Sequence, residues 1–234
     1  MRRALAFLTP LGPAASPGPT TLDWFAPAGA LIGSLLGGVW WLAARLWPPA
    51  ISAAVVVAAD LAATGMLHLD GLIDSADGLL APMPTARRLE VMADPGAGAF
   101  GVSAAGVVLL LRWAALASLR PGILLLGGLW CLSRGSVAAV ARLRPYARPE
   151  GGLASAFAGR TRWLRLALGV GLGVGLLAAW RPVPGLVAAA AAAAGTAVVT
   201  LLAERRLGGY TGDVLGACVV VAETAGLIAA AARW

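Results

Sequence analysis

Runs of about twenty apolar residues recur from one end of the chain to the other, separated by short links rich in proline, glycine and arginine. At ~1.5 Å per residue each run is long enough, as a helix, to cross a hydrocarbon layer of about 30 Å. With 59% hydrophobic and only 12% charged residues, the chain reads as an all-α, polytopic membrane protein, not as a soluble core. Seven spans are expected, at 28–47, 51–67, 100–119, 122–141, 163–180, 183–203 and 213–232. They form one bundle and one membrane-embedded domain over 1–234, with no internal repeat. The apolar run 4–8 after Arg2 and Arg3 is too short for a signal-peptide core. Pro10, Pro13, Pro17, Pro19 and Pro27 make 9–27 an irregular segment, and 85–93 is expected to be a short interfacial helix.

All 18 basic residues are arginine, and the net charge is +7. In a soluble domain that balance would suggest nucleic acid; here no basic strip interleaves with exposed aromatics, and the arginines instead set topology. With the N-terminus inside, twelve fall on the inner side: 2, 3, 87, 88, 142, 144, 148, 160, 162, 165, 205 and 206. Four fall outside, at 45, 120, 181 and 233, and Arg112 and Arg134 lie within spans. The bias places the protein in the cytoplasmic (inner) membrane with a cytoplasmic N-terminus. It also puts the links 70–101, 142–162 and 204–213 on one cytoplasmic face. Trp47, Trp163, Trp180 and Trp234 fall at span ends, as an aromatic belt would. Gly29, Gly33 and Gly37, and the alternating glycines 169–175, suit close helix packing. Cys131 and Cys218 have no metal-ligand spacing and read as small buried hydrophobes. Contact with membrane lipid follows from the fold class, and a homo-oligomer is left open.

His68-Leu69-Asp70-Gly71-Leu72-Ile73-Asp74-Ser75-Ala76-Asp77-Gly78 puts three aspartates within eight residues, in a chain with eleven acidic residues altogether. On a helix, Asp74 and Asp77 lie about 40° and about 20° either side of Asp70. Three carboxylates on one stripe repel each other and are costly to desolvate, so a cation is expected against them, and an oxygen-only set suits Mg²⁺. A solvated helix start or a set of caps would be the plainer reading in a soluble protein. Directly after an apolar span, metal binding is the better one. His68, the only histidine, points away from the stripe on a continuous helix; a proton-transfer role for it requires a break at Gly71. Leu207-Gly208-Gly209-Tyr210-Thr211-Gly212-Asp213 opens the last span as a helix start, with Thr211 as cap and Asp213 in the first turn, and can hold a phosphate. Arg142, Arg144 and Arg148 can pair with phosphate oxygens or merely set topology. Asp60, Glu223, Arg112 and Arg134 are ionisable groups within spans and so candidates for function. Arg134, roughly 12 Å from the inner end of its span, can neutralise Asp60 or reach a bound phosphate; Arg112 is expected to snorkel outward.

Together these pieces resemble the cobalamin synthase family, adenosylcobinamide-GDP ribazoletransferase. The core match is the His68–Gly78 block. The stretch from Asp94 to Gly101 resembles a second block, and Gly209-Tyr210-Thr211-Gly212-Asp213-Val214-Leu215-Gly216-Ala217 with Glu223 resembles a third. Phe7-Leu8-Thr9 and Trp24-Phe25-x-Pro27-x-Gly29 are similar to its N-terminal pattern. Two departures stand out: Pro10 replaces an arginine after Phe-Leu-Thr, and Asp94-Pro95-Gly96-Ala97-Gly98 lacks another. Either Arg87, Arg88 or Arg148 supplies the missing phosphate contact, or activity is reduced.

The resemblance implies transfer of the cobinamide-side phosphate of adenosylcobinamide-GDP to α-ribazole or its 5′-phosphate, with GMP leaving. It implies Mg²⁺ on Asp70, Asp74 and Asp77, completed by Asp94 and Asp213. Phosphate oxygens fall to Arg148, Arg134, Gly209, Thr211 and Gly212, and an aspartate or His68 takes the hydroxyl proton. Two alternatives compete. A CDP-alcohol phosphotransferase shares the opening Asp74-x-x-Asp77-Gly78 spacing but not the later aspartates, and a transporter would carry acids along a path through the bilayer. Reporter fusions after Leu80 and after Arg148 are expected on the same, cytoplasmic, side; opposite sides would overturn both the span count and the shared face.

Overall fold

The computed structural model describes residues 1–10, 18, 20–148, 150–151, 154, 157 and 162–234; Pro13, Pro17, Pro19 and Arg160 lie outside the described residues. Ten α-helices follow one another among the described residues: α1 (Arg2–Leu8), α2 (Phe25–Leu46), α3 (Pro49–Ala63), α4 (Leu67–Leu80), α5 (Thr85–Val91), α6 (Ala99–Ser118), α7 (Ile123–Leu143), α8 (Trp163–Trp180), α9 (Pro182–Leu207) and α10 (Gly212–Ala230). The boundaries follow local chemistry. Pro48-Pro49 stops α2 and starts α3, because proline at the first helical position loses no hydrogen bond. Two ends differ from the sequence reading. Helix α2 begins three residues before the expected Ala28, since Pro27 sits in its first turn where proline is tolerated. Helix α9 runs on through Glu204, Arg205 and Arg206 to Leu207, and ends where Gly208 turns left-handed at φ 76°, a common helix stop.

Six helices (α2, α6, α7, α8, α9 and α10) are each long and apolar enough to cross a membrane. A seventh crossing depends on α3, which meets that test only together with α4, bent 88° away from it. Helix α3 runs alongside α6 in the opposite sense: Trp113, late in α6, donates to the Ala50 carbonyl at the start of α3 (2.8 Å), while α4, beyond the other end of α3, caps the start of α6 through Asp77. The bend comes from Gly65 and Met66, both left-handed (φ 56° and 59°). For Met66 this costs on the order of 1 kcal/mol. It turns the aspartate helix out of the line of the span and lays it across the start of α10.

Helices α7 and α10 form the centre of the bundle, while α6, α8 and α9 present most of their surface outward. The Gly29–Gly33 ladder lets α2 sit directly on α7: a Cβ at Gly29 would come within 2.9 Å of the Trp130 backbone, and one at Gly33 within 2.7 Å of the Leu126 backbone. On α8 the helical period splits the glycines; Gly169 and Gly173 face neighbours, whereas Gly171 and Gly175 face open space. Both cysteines are free and buried, as expected.

Four charged groups meet inside the bundle. Arg112 donates to Asp60 (2.8 Å) and to Glu223 (2.5 Å), and also to the Thr224 hydroxyl and the Val220 carbonyl. Arg134 pairs with Glu223. The remaining carboxylate oxygens accept from Trp130 Nε1 (2.9 Å, on Asp60) and Ser133 Oγ (2.8 Å, on Glu223). The expectation that Arg112 snorkels outward is corrected: it is 5% exposed, because two carboxylates within reach satisfy its charge better than a stretch towards water. The two positive and two negative charges balance and tie α3, α6, α7 and α10 together. Removing one member strands a buried opposite charge, so Glu223→Ala is expected to lose about 3–5 kcal/mol of stability, read as a lower unfolding midpoint in detergent.

Candidate functional site

At the end of the bundle where α3 turns into α4, a cavity of about 320 Å³ opens between α1, α2, α4, the start of α10 and the residues Tyr146, Arg148, Gly151, Ala154 and Phe157. A larger cleft of about 660 Å³ lies between α7, α8 and α9, but its lining is mostly alanine, valine and leucine and carries no acid. The chemistry therefore belongs to the first. Helix α4 reaches it by lying against α10 at closest range. A Cβ at Gly71 would sit 2.8 Å from the Asp213 carbonyl and 3.2 Å from Gly216, so only glycine permits the approach. This contact brings the aspartate stripe beside Asp213, which the chain supplies only at the start of its last helix.

Asp70 and Asp213 line the cavity, and Asp74 stands close enough to feel both. Burial chiefly, then the charges of Asp70, Asp213 and Asp77, push the Asp74 carboxyl from its ordinary range up to about 7, with Arg148 opposing. Such a rise records an excess of negative charge in partly desolvated surroundings, which a bound cation would relieve. Arg148 donates to Asp213 Oδ2 (3.0 Å) and to the Met92 carbonyl (3.3 Å). It is thus the one of the three arginines offered as replacements that reaches the site. Arg88 is buried and caps the end of α4 through the carbonyls of Gly78, Leu79 and Ala81; Arg87 pairs with exposed Glu90.

The other candidates separate into those the fold gathers and those it employs elsewhere. Thr211 is the N-cap of α10, accepting from the Val214 N–H (3.3 Å), and its hydroxyl donates to Asp213 (3.2 Å). Gly212 lines the cavity. Gly209 serves packing: its backbone lies against Pro145, where Tyr210 N–H donates to the Pro145 carbonyl and Ala147 N–H to the Tyr210 carbonyl. That pairing holds Arg148 beside Asp213. Asp77 is buried with both oxygens engaged, accepting from the N–H groups of Gly98 (2.7 Å) and Gly101 (2.9 Å), so it caps α6. Asp94 is exposed and accepts from Gly96 N–H in a local turn (2.8 Å). Arg134 is corrected as a phosphate ligand: its guanidinium is paired with Glu223 inside the bundle. Helix α4 does not break at Gly71, yet His68 lines this cavity as well as a small one beside Arg134 and Glu223.

Two features escaped the sequence reading. Phe7, Phe25 and Phe157, three of the four phenylalanines, meet on the cavity wall with ring centroids 5.4–5.8 Å apart. Only the Phe-Leu-Thr and Trp-Phe patterns hinted at two of them. The Tyr146–Tyr210 pairing joins segments on either side of α8 and α9 and left no local signal.

Among the described residues, no three His, Cys, Asp or Glu side chains stand in ligating geometry for a metal. Mg²⁺ does not require such a cage, since it keeps several waters and commonly binds one or two carboxylates plus substrate phosphate. Asp70, Asp74 and Asp213 suit it by donor chemistry and by the charge excess at Asp74.

Fold and site together define a helical membrane protein with an acid-lined, arginine-bearing cavity at one end of its bundle. The sequence model described as Cobalamin-5-phosphate synthase matches residues 1–231, and the chain belongs to that family. Curated relatives named "Adenosylcobinamide-GDP ribazoletransferase" include one from Thermosynechococcus vestitus, 41% identical over 88% of this chain and 84% of the relative. Another, from Desulfitobacterium hafniense, is 37% identical over 97% and 94%, and one from Pseudomonas paraeruginosa is 39% identical over 97% and 96%. No solved structure matches.

Capping and ligation make different demands on Asp77. Asp77→Ala is expected to lose about 1–2 kcal/mol of stability, while the rise in melting temperature produced by Mg²⁺ persists; in Asp70→Asn that rise should disappear.

Proposed function

We infer that this chain transfers the cobinamide-side phosphate of adenosylcobinamide-GDP to a ribose hydroxyl of α-ribazole or its 5′-phosphate, releasing GMP. The observation that carries the reading is the meeting of Asp70, Asp74, Asp213 and Arg148 at one cavity, in a chain whose relatives bear the transferase name over nearly their whole length. The hydroxyl oxygen forms the new P–O bond, the P–O bond to GMP breaks, and the hydroxyl proton passes to a carboxylate.

Asp70, Asp74 and Asp213 would hold Mg²⁺, which when bound neutralises diphosphate charge and polarises the phosphorus centre. The chain's own part is positioning and electrostatics, which dominate phosphoryl transfer. Arg148, oriented by Asp213 and the Met92 carbonyl, turns its remaining N–H groups to phosphate oxygens. The first turn of α10, with Gly212 at the cavity, offers backbone N–H groups to the same anion. Asp70, exposed to the cavity, accepts the proton. The arginine bias supports placing this end at the cytoplasmic face of the inner membrane, where nucleotide substrates are available.

Purified protein in detergent, given Mg²⁺ and both substrates, is expected to release GMP and form a cobalamin. Chelation should abolish turnover, and Asp70→Asn, Asp74→Asn and Arg148→Gln should each lower kcat/KM by about a hundredfold or more with insertion unchanged. Release of CMP from CDP-diacylglycerol, with none of GMP from the corrinoid, would overturn the reading.

A further inference from the structure

The cavity has two kinds of wall. The polar side chains lining it are His68, Asp70, Tyr146, Arg148 and Asp213, which come from α4, the segment after α7 and the first turn of α10. The rest of its side-chain surface is apolar, dominated by Phe7, Leu8, Phe25, Val137, Ala154 and Phe157. Among the described residues this second wall offers no side-chain donor or acceptor. Its rings are set against one another: Phe157 stands edge-on to Phe7 (85°) and nearly so to Phe25 (68°). Phe25 and Phe157 are buried at 2% and 3% exposure, so the wall is a fixed surface and not a loose patch.

We propose that the aromatic wall formed by Phe7, Phe25 and Phe157 receives the base of the acceptor nucleoside and selects a base with few hydrogen-bonding groups, of the benzimidazole type, over a purine. The inference rests on the transferase reading above and assigns the direction in which the substrates lie. Size decides which substrate enters. A cavity of about 320 Å³ suits a nucleoside, whereas a corrinoid with its side chains is several times larger and stays at the mouth. Chemistry decides which base. A planar, largely apolar ring gains aromatic contact on this wall. A purine brings ring nitrogens and an exocyclic group that lose water there and find no side-chain partner, and an unpaired buried polar group is costly. The guanine of the donor is turned away by the same rule, which leaves the Arg148–Asp213 side for the diphosphate. Acceptor hydroxyl and donor phosphate then approach each other at the carboxylates, with the two bases on opposite sides of the reacting atoms.

The test uses the full chain with Mg²⁺ and adenosylcobinamide-GDP, offered α-ribazole and the α-riboside of adenine in parallel and in competition. The expected result is a kcat/KM for α-ribazole about ten- to a hundredfold above that for the adenine compound. Phe157→Ala should raise KM for α-ribazole at least tenfold while KM for the donor stays unchanged, and Phe157→Leu should recover most of the loss. Equal use of the two bases overturns the inference, as does a Phe157→Ala variant that lowers kcat with the acceptor KM unmoved. The comparison of bases is made on the unaltered protein, so it stands even where truncation at Phe157 impairs folding. Product from both ribosides at equal rates defeats the base selection alone; product from neither, with the protein folded and inserted, defeats the transferase reading as well.

Discussion

The structure depends on four charges that have no water to turn to. Asp60, Arg112, Arg134 and Glu223 come from four different helices, and each would be prohibitively costly in the bundle interior alone. Brought together, they neutralise one another, and Trp130, Ser133 and Thr224 occupy remaining hydrogen-bonding positions around them. The arrangement tolerates only one mutual placement of α3, α6, α7 and α10. Apolar packing in a membrane is permissive, because lipid is as good a neighbour as leucine; a charge network is not. We see in it the device that gives a bundle of small residues a single register.

That register is what builds the site. Helix α10 starts at the cavity and carries Glu223 about three turns further in, at ~3.6 residues per turn. Helix α3 carries Asp60 and then, through the left-handed pair Gly65–Met66, delivers α4 across the start of α10. The ion network therefore fixes both helices whose ends meet at Gly71 and Asp213. Repulsion among Asp70, Asp74 and Asp213 opposes the meeting, and the strain is local to the place where a cationic ligand belongs. Arg88 and Asp77 do the complementary work at the other end of α4, closing its last carbonyls and the first N–H groups of α6.

The cavity joins two chemistries that rarely share so small a space, an acid-and-arginine wall and an aromatic one. For a transfer between a diphosphate and a nucleoside this division is economical. Charge is handled on one side, where the Arg148–Asp213 pair is already oriented, and an apolar ring on the other, where it meets no competing polar group. The scaffold of α7 and α10 stays rigid behind both, and the outward-facing α8 and α9 take no part in the lining.

Local order along the chain was enough to define the elements. Apolar runs of span length, proline and glycine punctuation and the aspartate period yield helices, their approximate ends and a carboxylate stripe, because these are properties of neighbours in sequence. Thr211 as a cap and Asp213 in the first turn were legible for the same reason, and the family resemblance rested on such local blocks. Which ionisable groups belong to the site, by contrast, was settled only by packing. Arg134 and Arg112 look equivalent to Arg148 as isolated cations, yet two are consumed by Asp60 and Glu223 and one is left at the cavity. Asp77 shares the stripe with Asp70 and Asp74, yet its oxygens are taken by Gly98 and Gly101. The aromatic wall joins Phe7, Phe25 and Phe157 from three separate segments. Partnership of this kind is a matter of distance in space, and helix periodicity carries no information about what lies across the gap to the next helix.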